Sequence, residues 1–338
     1  MMKRSFRRMI AGTMLLVGCA TVLFATGQPE TEGEVGGIIT IYTSVPQGII
    51  DKIQADFMAK YPDIELEVFR AGTGAVIAKV ATELEAGELL ADLVWVAEPS
   101  TYEMFKDQGI LLQFTPAEAD ALAEGMADPE GYYYAGRLIN MIIGYNTDLV
   151  DDPPETWSDL LGSRYAGPKG MASPVTSGAA LATAYAIAQE HGDNYFRRFR
   201  ANDGVQARSN GAVRDSLSTG EYETGIVLDY MIRGRKAEGA PVDYVWPKDG
   251  TVFIPSPIAI FNTSSNIETA KVFVDYTLSA EGQRTLVELG NFIPIRDDVD
   301  PPEGAPRLGE IDAIPIDWAE LSDQSQAVLD AWTALFAE

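Results

Sequence analysis

Three short segments of this 338-residue chain set a hydroxyl or amide side chain beside glycine: Gly72-Thr73-Gly74, Thr176-Ser177-Gly178 and Ser209-Asn210-Gly211. A fourth, Thr43-Ser44, carries two hydroxyls. Each stands at the start of a helical pattern or directly after a strand-like run. Helix starts present unpaired backbone N–H groups, and a nearby hydroxyl or amide completes a cradle for an anion. Any one of these segments is also ordinary cap and turn chemistry. Their recurrence at one type of junction singles them out. Asp229 and Tyr230 form a further pair, emerging directly from the apolar run Gly225 to Leu228, where a cleft residue is expected.

Other chemistries lack their parts. The chain has one cysteine and one histidine, which excludes an intramolecular disulfide and a zinc site built on several Cys or His ligands. His191, in Gln189-Glu190-His191-Gly192-Asp193, reads as the last turn of a helix before a glycine stop, where it complements the helix dipole. A serine triad would have no other base. No G-x-x-x-x-G-K-[ST] loop is present, so the chain is not an ATPase of that class. Paired carboxylates could in principle do acid–base chemistry. With no nucleophile elbow, multi-histidine set or basic phosphate-activating cluster, the chain is read as a binding protein and not an enzyme.

The elements that would position these groups alternate. Ile38 to Tyr42, Ile64 to Phe69 and Ala91 to Val96 read as strands. Between them lie helical faces through Ile49, Ile53 and Phe57, and through Val76, Val80 and Leu84; a further helix runs through Tyr102 and Phe105. Leu138 to Tyr145, Gly225 to Leu228 and Ile258 to Phe261 are further strands. Helices are expected after Thr176-Ser177-Gly178, around Val213 and Leu217, over Glu268–Leu278 and Glu281–Leu289, and through Leu321, Val328, Leu329, Trp332 and Phe336. Trp95 and Tyr145 are expected in the core. Such alternation implies an α/β fold with a mostly parallel sheet covered on both faces.

Lys3, Arg4, Arg7 and Arg8 precede an apolar run from Met9 to Thr26, the pattern of an export signal over residues 1–27. Leu16-Val17-Gly18-Cys19 fits a lipobox that would leave Cys19 lipidated, and Ala25-Thr26-Gly27 fits ordinary cleavage; both endings stay open. Either way the bulk of the chain lies outside the cytoplasm, touching the membrane only through its signal or lipid anchor. Residues 28–37 read as a polar, Gly-rich tether. An apolar content of 46% supports a substantial core, and Asp plus Glu outnumber Lys plus Arg by 50 to 25. With no basic stripe, nucleic acid is excluded as a partner. The formal charge of −25 mildly favours a cationic ligand, although salt limits such steering to about 8–10 Å.

Several motifs then align with one family. They include Ile41-Tyr42-Thr43-Ser44, Gly136-Arg137 before Gly144-Tyr145-Asn146, and Pro174-Val175-Thr176-Ser177-Gly178-Ala179 after a stretch containing Trp157. Others are Ser209-Asn210-Gly211, Asp229-Tyr230, and the late run Ala270-Lys271-Val272-Phe273-Val274-Asp275 with Ser279-Ala280-Glu281-Gly282-Gln283. From Ile38 to about Arg296 the chain resembles the extracytoplasmic solute-binding proteins of bacterial ABC importers, in the cluster that binds ferric iron, phosphorylated sugars and phosphonates. The resemblance implies two doubly wound lobes of the type II periplasmic binding protein kind, joined by crossing hinge strands. One lobe would take residues 38–137 plus about 255–310, the other 138–254 plus about 311–338. It implies a monomer without a resident cofactor, with the importer's permease subunits as partners.

The resemblance also implies a ligand set. Glu98 falls at the iron binders' glutamate, Tyr230 at their second tyrosine, Ser177-Gly178 at their anion turn and Asn210 at their asparagine. Their histidine position falls at Pro46 and their first tyrosine at Asp229. Glu98, Asp229 and Tyr230 would then hold a ferric ion with phosphate or carbonate, and Tyr42 would add an oxygen. The alternative is an organophosphate or phosphonate cradled by Ser44, Thr73, Thr176, Ser177 and Asn210, with Glu98 and Asp229 reading its tail. Arg137 would pair with the anion or brace the hinge.

Overall fold

The computed structural model describes residues 35–337. The expected export signal, the lipidation site at Cys19 and most of the expected tether lie outside the described residues. The tether's last residues already belong to the fold: Gly36 N–H donates to Thr269 Oγ1 (3.1 Å) and Gly37 N–H to the Asp63 carbonyl (2.9 Å).

The first part of the chain runs β1 (Gly37–Thr43), α1 (Gln47–Lys60), β2 (Ile64–Arg70), α2 (Thr73–Ala86), β3 (Leu93–Trp95) and α3 (Ser100–Asp107). α1 forms because Ile50, Ile53 and Phe57 place one apolar stripe on the core. Ile50, not Ile49, is the buried member of its first turn. α2 buries Val76 and Val80 and stops at Gly87 in the left-handed conformation (φ 83°). A long strand, β4 (Tyr134–Asn146), leads to β5 (Lys169–Ala172), α4 (Gly178–His191), α5 (Tyr195–Ala201), β6 (Gly204–Ala207), α6 (Asn210–Thr219), β7 (Thr224–Leu228) and α7 (Asp229–Ala237). α4 ends at His191 before Gly192 and is buried from Gly178 through Ile187. The chain closes with β8 (Val242–Val245), β9 (Val252–Ile260), α8 (Ile267–Leu278), α9 (Ala280–Gly290) and α10 (Trp318–Phe336). Trp332 of α10 packs on Phe196 of α5 with ring centroids 5.1 Å apart.

The nine strands form one curled sheet in the order β2-β1-β3-β9-β4-β7-β5-β6, with β8 on β4. β1 pairs in parallel with β2 and β3, and β5 pairs in parallel with β6 and β7. Every pairing in the middle is antiparallel. The expected parallel sheet is therefore two parallel sets joined through a crossing, in the two-lobed α/β manner. Along β4, Tyr134 to Met141 pairs with β9, and Met141 to Tyr145 pairs with β7. β4 thus passes from one set to the other.

At the start of that crossing the β4–β9 register shifts between Ala135 and Arg137. Such a bulge re-aims the next side chain. Gly136 permits it: a Cβ there would stand 2.8 Å from Trp95 Cε2. The Arg137 guanidinium consequently lies 5.8 Å from the Trp95 ring and 4.8 Å from the Phe292 ring, with Nε donating to Ser256 Oγ (3.3 Å).

At the far end of β7 the structure corrects one expectation. Asp229 does not enter a ligand site. Its Oδ1 accepts from the Asn140 backbone N–H (3.0 Å) and its Oδ2 pairs with Arg233 Nη1 (2.5 Å). Both side chains are almost wholly buried. One turn of helix separates them, which is the ordinary spacing of an intrahelical pair. Removing one member of a buried pair leaves the other charge stranded, at a cost of about 3–5 kcal/mol. Asp229→Asn should lower stability by that order in a denaturant titration; an unchanged midpoint with lost ligand affinity would return Asp229 to the binding site.

Candidate ligand-binding cleft

The carboxyl ends of both parallel strand sets open onto one cleft of about 460 Å³. This is where open α/β sheets bind ligands. From one side come Ser44 after β1, Arg70 at the end of β2 and Thr73 at the start of α2. From the other come Ser177 before α4, Arg208 and Asn210 after β6, Arg214 on α6, and Tyr230 in the first turn of α7. Arg137 reaches in from the crossing. Five helices (α1, α2, α4, α6 and α7) direct their N-terminal turns at this space, each presenting roughly half a positive charge.

The polar groups facing it are poised to donate. The Ser177 hydroxyl oxygen accepts from the Ala180 N–H (3.3 Å) and from Asn210 Nδ2 (3.0 Å). With its oxygen so engaged, its proton is left for a ligand. Among the described residues Ser44 Oγ and Arg137 Nη1 have no partner, and neither has Asn210 Oδ1, an acceptor in a set that otherwise donates. All three atoms are buried, and buried polar atoms are ordinarily satisfied. Among the described residues, Arg70, Arg137 and Arg208 have no carboxylate within 4.0 Å, and only Arg214 is paired, with Asp215 (2.8 Å). No aspartate or glutamate among the described residues lines the cleft. Burial draws the Arg137 pKa down, and the adjacent Tyr230 hydroxyl opposes that shift; burial pushes the Tyr230 phenol up while Arg137 pulls it back.

Of the expected ligand residues, Ser44, Thr73, Arg137, Thr176, Ser177, Asn210 and Tyr230 line this one cleft. Thr176 serves differently from the expectation: its hydroxyl donates to the Ser173 carbonyl (3.2 Å) and the Arg208 carbonyl (3.1 Å), tying two rim loops together. Tyr42 is elsewhere. Its hydroxyl donates to Glu83 of α2 (2.8 Å) and its ring packs near Phe69 and Lys79, on the sheet face and not at the strand's carboxyl end where the cleft opens. Glu98 also misses the cleft. It is fully buried at the start of α3, where Ser100 Oγ, Thr101 Oγ1 and the Thr101 N–H (3.1 Å) all donate to its carboxylate. Of the expected ferric-ion triad Glu98, Asp229 and Tyr230, only Tyr230 reaches the cleft, and among the described residues no group of three His, Cys, Asp or Glu side chains is placed to hold a metal. Arg70, Arg208, Arg214 and Gln47 were not anticipated as cleft residues. Gln47 and Arg214 lie within helices and carry no local signal; Arg70 and Arg208 stand at or just after a strand end, which does not by itself separate a cleft arginine from a surface one.

Glycines set the distance between the two sides. A Cβ on Gly72 would stand 2.5 Å from the Thr176 carbonyl oxygen, and one on Gly74 would stand 2.2 Å from that of Val175. Gly178 is a contact of the same kind: a Cβ there would meet Glu98 Cγ at 2.8 Å and Thr73 Cγ2 at 3.1 Å. It seats the start of α4 against the opposing side and does not line the cleft.

These contacts predict two outcomes. Gly74→Ala should weaken binding of whatever the cleft holds by roughly tenfold or more, from an overpacking penalty of about 1–3 kcal/mol on the closed form, with little change in stability; calorimetric titration and a denaturation curve on the same variant check this. Burial pushes the Glu98 carboxyl up to about 7, against the pull of its Ser100 and Thr101 hydrogen bonds. A carboxyl that holds its proton more tightly when folded adds stability at low pH, and loses it as pH rises from the ordinary carboxylate range through about 7. Glu98→Gln should therefore flatten the fall in stability between pH 5 and 8; an undiminished slope would contradict the assignment.

Residues 89–324 match the family model described as bacterial extracellular solute-binding protein. A putative 2-aminoethylphosphonate-binding periplasmic protein of Salmonella typhimurium is 23% identical over 284 residues, spanning 78% of this chain and 80% of its own. Among solved structures, the periplasmic binding protein AfuA of Actinobacillus pleuropneumoniae, with fructose-6-phosphate bound, superposes with a TM-score of 0.82 at 24% identity, covering 89% of this chain and 99% of that one. Iron-bound HitA of Pseudomonas aeruginosa gives a TM-score of 0.77 at 19% identity over 88% and 99%. At these identities the two structures speak for the fold alone. With the family match over most of the chain, the chain belongs to the bacterial extracellular solute-binding proteins, and it has the two-lobed fold of periplasmic binding proteins.

Proposed function

We propose that this protein captures a small molecule bearing a phosphate or phosphonate group and delivers it to the permease subunits of an ABC importer. The observation that carries this reading is the cleft's charge: among the described residues, four arginines and five helix N-termini face it, and no carboxylate does. An anion with several acceptor oxygens satisfies Arg137 Nη1, Ser44 and Ser177 together, and guanidinium forks match phosphate geometry. A ferric ion would meet those same positive groups with one phenol to hold it. The relatives described as binding aminoethylphosphonate and seen with fructose-6-phosphate support the same chemical class.

In this reading the ligand first meets one side, and closure brings the opposing helix starts onto it. The closed shape is what the permease reads, and the energy for transport comes from ATP hydrolysed by another subunit. The protein acts as an exported monomer, without catalysis or a resident cofactor. No helix among the described residues is long and apolar enough to cross a membrane.

Calorimetric titration with inorganic phosphate, sulfate, fructose 6-phosphate, 2-aminoethylphosphonate and ferric citrate tests the reading. At least one phosphorus anion should bind, and Arg208→Ala should weaken it about tenfold to a hundredfold, the loss of a charged hydrogen bond worth about 1.5–3 kcal/mol. No binding of any phosphorus anion, with a visible tyrosinate–iron colour that Tyr230→Phe abolishes, would replace it with ferric-ion capture.

A further inference from the structure

Behind the cleft wall one aromatic ring touches two of the groups that face the ligand. The Phe292 ring centroid lies 4.8 Å from the Arg137 guanidinium and 4.7 Å from the Tyr230 ring, which meets it at 65°. Phe292 itself is buried, at 1% exposure, and does not line the cleft. Its two neighbours come from different parts of the fold, Arg137 from the crossing strand β4 and Tyr230 from the first turn of α7. Phe292 comes from a third part, the segment that leaves α9, a helix packed on α1 and α8.

Three features fix the ring in that place. Asn291, in the left-handed conformation (φ 57°), ends α9 and turns the chain. Its carbonyl accepts from Arg233 Nη2 (2.5 Å) and its Nδ2 donates to the Tyr230 carbonyl (3.5 Å), so the turn is tied to α7. Ile293 then pairs antiparallel with Leu138, the residue after Arg137 on β4. Gly290 makes the room: a Cβ there would stand 2.3 Å from Phe292 Cε2. The Gly290 backbone has no positive φ, so it is the ring that calls for glycine. Gly136 gives the same room to Trp95, the other ring beside Arg137. A ring holds a guanidinium through its face and takes none of its N–H donors, whereas a carboxylate would take them. Arg137 Nη1 is accordingly left without a partner among the described residues.

Resting on the anion reading above, we propose that Phe292 is a positioning residue for ligand capture. It fixes the Arg137 guanidinium and the Tyr230 phenol relative to each other, so that both meet the ligand in one preset arrangement, while it touches no ligand itself.

Two substitutions probe this from opposite directions. Phe292→Leu keeps an apolar side chain and removes the ring; Gly290→Ala keeps the ring and displaces it. In calorimetric titration with inorganic phosphate, fructose 6-phosphate and 2-aminoethylphosphonate, each should weaken the tightest-binding of the three about tenfold, the combined scale of one cation–π contact and one aromatic pair. Phe273→Leu is the matched control, because Phe273 is equally buried but packs on Phe57 (4.9 Å) and Tyr276 (6.3 Å) instead of cleft groups. It should lower the thermal midpoint and leave affinity within about twofold. Combined with Arg137→Lys, which removes the planar group, Phe292→Leu should cost less than the product of the two losses; combined with Arg208→Ala, it should multiply. Unchanged affinity in Phe292→Leu, an equal loss in Phe273→Leu, or simple multiplication with Arg137→Lys would reduce Phe292 to core packing while the anion site stands. If no phosphorus anion binds the unsubstituted protein, the anion reading falls and takes this inference with it.

Discussion

Positive charge held in place without a counter-charge is the constraint around which this molecule is built. Helix starts and guanidinium groups from both sides face one gap, and the Arg137 guanidinium sits there almost wholly buried with one nitrogen unsatisfied. Such an arrangement is costly when empty and favourable once an anion enters. The scaffold supplies the rigidity it needs. Both parallel strand sets end at the gap, their helices begin there, and β4 and β9 hold the sets together. The Gly136 bulge, with Trp95 in the space a side chain would occupy, aims Arg137 at the centre.

Carboxylates near the cleft are consumed by the structure itself. Glu98 takes the donors at the start of α3, and Asp229 takes Arg233 and the backbone of β4. Each is engaged locally, Glu98 by three hydrogen bonds in a buried site that raises its pKa, Asp229 by a buried ion pair. This separation of roles leaves the cleft's field positive within a chain of formal charge −25. The global charge acts over a Debye length through solvent and is screened, whereas groups a few ångströms from a buried ligand are not. Net charge therefore speaks about steering and solubility, and the lining residues speak about selectivity.

Much of the cleft was legible in the chain. Ser44, Thr73, Ser177, Asn210 and Tyr230 could be picked out because a strand followed by a small or hydroxylated turn and a helix is a local pattern, and the carboxyl ends of parallel strands face one way. Arg70, Arg208 and Arg214 went unread because nothing local separates a cleft arginine from a surface arginine. Tyr42 was misplaced because its side chain lies on the sheet face against α2, whereas the cleft opens beyond the strand's carboxyl end. Asp229 was misread because its partner Arg233 lies one turn further along a helix whose burial depends on β4.

By itself the sequence determined the alternation of strands and helices, the capped helix starts, and the exclusion of chemistries that need several histidines or cysteines. Those follow from periodicity, turn chemistry and composition, which act over a few residues. Only the tertiary structure decided which polar groups satisfy one another and which are left facing solvent. It withdrew Glu98 and Asp229 from the cleft, assembled arginines from β2, β4, the β6–α6 junction and α6, and turned Gly72, Gly74 and Gly178 into contact surfaces. The physical reason is that the affinity of a site depends on its unpaired groups, and pairing is settled by neighbours far away in the chain.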